Sequence, residues 1–178
     1  MRRALTCSLA MLAASLGPGV AGAAAATHPG PTKAQLHHAV ARAKRSSYLW
    51  ATVNICVPKP HHGGLIGIRG EMPALGWRST LSMTIQLRQR RSQGHRFVDV
   101  KGSTARRTVT LGRLRTGVHQ GGAEFPYSSD TGALDAQVTF TWTRDGRRLA
   151  QVTRATTGGH PSAAFGEPQG HSTARCTL

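Results

Sequence analysis

The chain has 178 residues, with 23 Lys+Arg against seven Asp+Glu and a formal net charge of +16. The length suits one domain that can bury a core without many covalent staples, which excludes a miniature disulfide scaffold. The basic excess raises an anionic partner (nucleic acid, wall polymer or acidic lipid), but no dense basic block is present, so a solvated surface accounts for most of it.

Residues 1–26 have the three-part pattern of a secretory signal peptide. Arg2 and Arg3 supply the charge, Ala4 to Val20 the apolar run, and Ala21-Gly22-Ala23-Ala24-Ala25-Ala26 the small residues of a cleavage site. Cleavage is expected after Ala26, with Ala23 as the second choice, giving a secreted, extracellular protein. The uncharged stretch is long enough to span a bilayer, yet Gly17-Pro18-Gly19 breaks its helix, so no stable membrane span is expected after cleavage. Cleavage also removes Cys7 and lowers the excess charge from +16 to +14. Cys56 and Cys176 then remain alone in an oxidising compartment and are expected to form a disulfide.

Residues 27–48 read as a leader with one short helix. Thr32 and Gln35 have capping-box spacing, and Leu36, Ala39, Val40 and Ala43 recur at helical intervals, which predicts a helix over about 33–46. His37 and His38 are adjacent, so they point about 100° apart on it and are read as surface.

From residue 49 to 178 the period changes to two, and a β domain is expected. Residues 50–57 form a β-branched strand that Pro58 and Pro60 end, followed by a turn at His61-His62-Gly63-Gly64. Ile66, Ile68, Gly70 and Met72 alternate with Gly67, Arg69 and Glu71, placing Glu71 on a wet face. Leu81, Met83, Ile85 and Leu87 alternate with Ser82, Thr84, Gln86 and Arg88, the cleanest half-buried strand in the chain. Shorter strands are predicted near 96–100 and 106–114, then a brief aromatic stretch, Phe125-Pro126-Tyr127. Val138, Phe140 and Trp142 lead into Asp145-Gly146, a type I′ hairpin signal, which sets Trp142 opposite Leu149 on a return strand over 147–157. Beyond Thr157 the chain carries no period, so the tail is expected to be held only by the Cys56–Cys176 bond. Seven or eight short strands without βαβ spacing predict an all-β antiparallel sandwich, with a closed barrel as the alternative.

Candidate chemistry is sparse. Of the acids, Asp145 belongs to the hairpin, Asp130 and Asp135 flank Gly132 as turn residues, and Glu71, Asp99, Glu124 and Glu167 form no paired acid/base pattern. No nucleophile, zinc or phosphate-loop motif is present, and no cofactor is expected. His160, Glu167 and His171 carry metal-type ligands in the tail, but their spacing matches no ligand framework, so no metal site is expected. Trp77 and Tyr127 are candidates for an exposed stacking platform, whereas Trp50 and Trp142 are expected in the core. Arg88, Arg90, Arg91 and Arg96, together with Arg144, Arg147 and Arg148, are the candidate anion-binding residues.

Three stretches, Leu49–Cys56, Ile66–Pro73 and Thr156–Ala163, with the ending Ser172-Thr173-Ala174-Arg175-Cys176, resemble a group of uncharacterised secreted actinobacterial proteins. The resemblance covers about residues 49–178 and both cysteines. It implies an immunoglobulin-like or fibronectin-III-like sandwich with a terminal disulfide, and it implies no activity. The expected function is therefore a non-enzymatic exported structural or interaction module. Alternatives are a protein that binds an anionic polymer or cell-wall polymer through arginine-rich loops, and a hydrolase with an unrecognised site. No signal for sequence-specific nucleic-acid binding is present.

Overall fold

A computed structural model describes residues 30–59, 63–90, 96–127 and 132–177. The expected signal peptide, His61-His62, Arg91 and Asp130 lie outside these residues. In chain order the elements are α1 (Lys33–Arg45), β1 (Trp50–Lys59), β2 (Gly63–Pro73), β3 (Ser79–Arg90), β4 (Val98–Asp99), a 3-10 turn (Ser103–Ala105), β5 (Arg106–Leu114), β6 (Val118–Tyr127), β7 (Ala133–Arg144), β8 (Arg147–Ala155) and β9 (Cys176–Thr177).

The strands form two antiparallel sheets. The first has the order β1-β2-β6. In the second, β3 and β7 pair at the centre; β5 and the short β4 share the outer edge of β3, while β8 and β9 share that of β7. A sandwich is thus formed rather than a single closed barrel.

Alternation builds the core. Ile66, Ile68 and Met72 of β2 face Leu81, Met83 and Ile85 of β3 and Val138, Phe140 and Trp142 of β7, all essentially inaccessible to water. Gly70 lies among them because a β-carbon there would press on Met83 Sδ and the Phe140 ring at 3.1 Å; its missing side chain lets the second sheet's aromatic ring in. The Trp142 indole N–H, which would be costly to bury unpaired, donates to Pro73 O at 2.8 Å.

Helix α1 has the predicted capping box: Gln35 N donates to Thr32 Oγ1 at 3.2 Å and Thr32 N to Gln35 Oε1 at 2.9 Å. Ala39 and Ala43 are buried, with Leu36 and Val40 packed beside them, and Arg154 of β8 donates to Lys44 O at 2.7 Å.

Local departures from the sequence reading have physical causes. β1 continues past Pro58, because its partner β2 starts earlier, at Gly63. At the β7–β8 hairpin Asp145 and Gly146 both have positive φ, 49° and 75°, as a type I′ turn requires. A β-bulge then follows, so Trp142 faces Ala150 and not Leu149. The largest departure is β6, a full ten-residue strand where only a short aromatic stretch was expected. Its Gly121-Gly122 pair hides the alternation.

The tail is also not the loose end that its missing period suggests. Leaving β8, it runs along the outer edge of β1 and returns to pair with β7 as β9. Thr157 N donates to Ala51 O, Val53 and Thr173 exchange two backbone bonds, and Glu167 N donates to Asn54 O at 2.8 Å. Its hydrogen bonds go to a neighbouring edge, which no periodicity within the tail reveals.

Candidate functional site

The outer face of the second sheet carries a regular polar array, written by the alternation that buries the inner face. Four rows cross the strands in the order β5, β3, β7, β8. They read Arg106–Gln86–Gln137–Ala155, Thr108–Thr84–Thr139–Thr153, Thr110–Ser82–Thr141–Gln151 and Arg113–Thr80–Thr143–Arg148. Hydroxyls bond within a row: Thr84 to Thr108 and Thr139 to Thr153, each at 3.0 Å. From strand spacing and rise, the array covers about 20 by 15 Å. Its centre is uncharged, and guanidinium groups stand at both ends.

The candidate arginines do not converge. Arg88 sits at one end of this face, about 27 Å along β7 from the level of Arg148. It is already committed: Nε and Nη2 bind Asp135 at 2.8 and 2.7 Å. Burial pushes the Asp135 carboxyl up, while Arg88 and then Arg175 oppose that shift. Asp135 is thus the buried partner of an ion pair on β7, and not a turn residue. Arg88 and Arg90 both lie over the Phe97 ring, at 5.7 and 5.5 Å, with Arg96 exposed beside it. At the other end Arg144 approaches Asp145 at 3.4 Å and lies against Gly30, while Arg147 and Arg148 are exposed at the hairpin. Arg148 reaches Gln151 at 2.8 Å, and Arg113 reaches Asp145 at 3.3 Å. Arg106 and Arg113, on β5, were missed because that strand's polar residues read as an ordinary wet face.

Part of the outer face of the first sheet, around Trp50, Glu71 and Gln120, is covered by the tail. This corrects Glu71, expected in water: it is 9% exposed, accepting from the Trp50 indole at 2.8 Å and from Gln120 at 3.0 Å. Trp50 is buried as expected, but on this outer face, where the His160 ring stacks on it at 4.5 Å and 11°. His160 Nε2 pairs with Thr157 Oγ1 at 2.8 Å. Burial lowers the His160 pKa, with the Glu71 charge opposing. Thr52 Oγ1 bonds Ser172 Oγ at 2.8 Å and closes the network.

Other candidates are dispersed. His160, Glu167 and His171 are not brought into a ligand set; among the described residues no group of three His, Cys, Asp or Glu side chains could hold a metal ion. Trp77 and Tyr127 pack against the core and offer no open platform; the Tyr127 hydroxyl reaches Val57 O at 3.4 Å, and burial raises its pKa. The most exposed large apolar side chain among the described residues is instead Phe165, at 79%. Cys56 and Cys176 are bonded, with Cα atoms 5.4 Å apart. Among the described residues no helix is long and apolar enough to cross a membrane. Compared with known proteins, the chain matches no protein-family model and no curated protein.

Proposed function

We propose that this chain is an exported, non-enzymatic β-sandwich that binds an anionic, hydroxyl-rich extracellular polymer across the outer face of β5, β3, β7 and β8. The observation that carries this reading is the array itself, with hydroxyls and amides in the middle and Arg106, Arg113 and Arg148 at its ends. Hydroxyls and amides both donate and accept, which suits a polyol surface, and guanidinium forks suit carboxylate or phosphate groups. The disulfide fits an oxidising compartment. The non-enzymatic part is supported by the carboxylates, since Glu71, Asp135 and Asp145 are each held by structural partners.

The test compares two triple variants of equal charge on an immobilised anionic polysaccharide across a salt series. Arg106→Gln, Arg113→Gln and Arg148→Gln together should flatten the dependence of log K on log salt by about 2–3, one unit for each anionic group no longer neutralised. Lys33→Gln, Arg45→Gln and Arg175→Gln, exposed positions elsewhere, should change it far less. Equal losses from the two triples would reduce the effect to net charge and overturn the assignment.

A further inference from the structure

A smaller site lies on the opposite sheet, independent of the array. We propose that a pocket lined by Arg69, Glu124 and Asn54, with the Phe165 ring lying over Arg69 beside it, takes one carboxylate-bearing sugar ring, the acidic terminal residue of a glycan. The pocket has a volume of about 170 Å³ and opens on the outer face of β2 and β6, floored by Gly67 and Gly122. Drug-sized ligands need roughly 300 Å³ or more, so this space suits a single ring.

Arg69 supplies the anion-binding group. Its Nε is buried without a hydrogen-bond partner, and it forms no ion pair among the described residues. Such an orphan is rare, because a buried guanidinium N–H normally finds an acceptor. Burial lowers the Arg69 pKa and the charge of Glu124 acts the other way; a bound carboxylate would act in the direction of Glu124. Glu124 is exposed and pairs across the strands with Gly67, so the carboxylate stands beside the glycine floor, able to accept from ligand hydroxyls. Its negative charge also disfavours a densely anionic ligand, which separates this pocket from the arginine-ended array.

Phe165 supplies the stacking surface. Its ring centroid lies 4.9 Å from the Arg69 guanidinium carbon, while the residue as a whole is 79% exposed. It has φ of +57°, an unfavourable conformation for an aromatic residue that must be held by its surroundings. The holder is Asn54, 1% exposed, whose Nδ2 donates to Ala164 O at 3.1 Å and Phe165 O at 2.9 Å. Ala164 N donates to Gln120 Oε1 at 2.9 Å, and Glu167 N to Asn54 O. A buried amide and a strained turn thus hold a flat apolar ring out in water above a cation, a preorganised surface for the C–H face of a sugar. A peptide C-terminus is less suited, because such carboxylates are usually captured by clustered backbone N–H groups. Here Gly67 lies opposite Glu124 and Gly122 opposite Arg69 in the β2–β6 register, and the cation that the pocket offers is a side chain.

Titration of the isotope-labelled exported protein with methyl β-glucuronide, followed by amide NMR, tests the site. Saturable shifts at Gly67, Gly122 and Phe165 are expected, with methyl β-glucoside at least tenfold weaker. Phe165→Ala and Arg69→Gln should each weaken binding about tenfold or more; Phe165 is exposed, so its variant stays informative should Arg69→Gln fold poorly. The array triple variant should bind the glucuronide normally, which separates this site from the polymer face. Absence of saturable shifts, equal affinity for the glucoside, or tighter binding of N-acetyl-Ala-Ala would each overturn the proposal.

Discussion

His160 shows how one side chain converts tail placement into a pH dependence. Burial against Trp50 holds its pKa below the usual value of about 6.5, and Glu71 offsets only part of that shift. The unfolded chain therefore binds a proton at a pH where the folded chain does not. Above about 6.5 both forms are neutral and the contribution is complete; as pH falls through the folded-state value it is lost. Asp135 has the opposite sign, since its pKa is raised by burial: its share is lost as pH rises through the acidic range. Comparison with His160→Phe, which keeps an aromatic ring on Trp50 but removes the titration, isolates the histidine. The melting temperature of the wild type should drop more between pH 7.5 and pH 5 than that of His160→Phe. A parallel drop in both would show that folding leaves the affinity of the stacked imidazole for its proton unchanged.

At the scale of elements, β6 depends on two adjacent glycines that serve different purposes. A β-carbon at Gly121 would collide with the Leu111 side-chain tip on β5, whereas one at Gly122 would collide with the Ile68 backbone oxygen on β2. A side-chain tip can swing aside; a carbonyl fixed in a ladder cannot. Gly122→Ala should therefore cost about 2–3 kcal/mol, at the upper end for overpacking, and Gly121→Ala about 1 kcal/mol or less. Shortening Leu111 to Ala in the Gly121→Ala background should relieve the clash, which denaturant melts can read as coupling between the two sites. Equal costs at the two glycines would contradict this distinction. The same glycines explain what the sequence conceals. β3 and β7 were legible because each side chain reports its face, as Leu81–Leu87 and Val138–Trp142 do. β6 was not, because Gly121 and Gly122 carry no side chain to report one. The array on the second sheet was half legible: Ser82, Thr84 and Gln86 were visible as a wet face, but their alignment with Thr141, Thr139 and Gln137 depends on register. The Phe165 pocket was illegible, since it joins β1, β2, β6 and the tail through an Asn54 side chain that no spacing singles out.

In the molecule as a whole, the tail acts as a strap. It leaves the second sheet at Ala155, crosses the outer face of the first, and rejoins the second at Cys176, where the bond to Cys56 links the two sheets. Closing a 120-residue separation removes about 4–5 kcal/mol of unfolded-state entropy on the chain-entropy model. For a domain of this size, reduction should then lower the melting temperature by roughly 10–15 °C. The strap's own hydrogen bonds decide where the reduced protein opens. Thr157, Val53, Thr173, Asn54 and Glu167 keep their backbone bonds without the disulfide, whereas β9 retains only its pairing with Ala133 and Leu134. Local opening should therefore begin at the last few residues and not at Thr157. Trypsin offers a direct reading, because Arg175 is exposed ahead of β9 while Arg154 is half-buried and bonded to Lys44 O. In Cys176→Ser, cleavage after Arg175 should accelerate, releasing the final three residues, while cleavage after Arg154 should stay at the wild-type rate below the melting transition. Early cleavage at Arg154 would mean that the disulfide, and not the edge of β1, holds the strap in place.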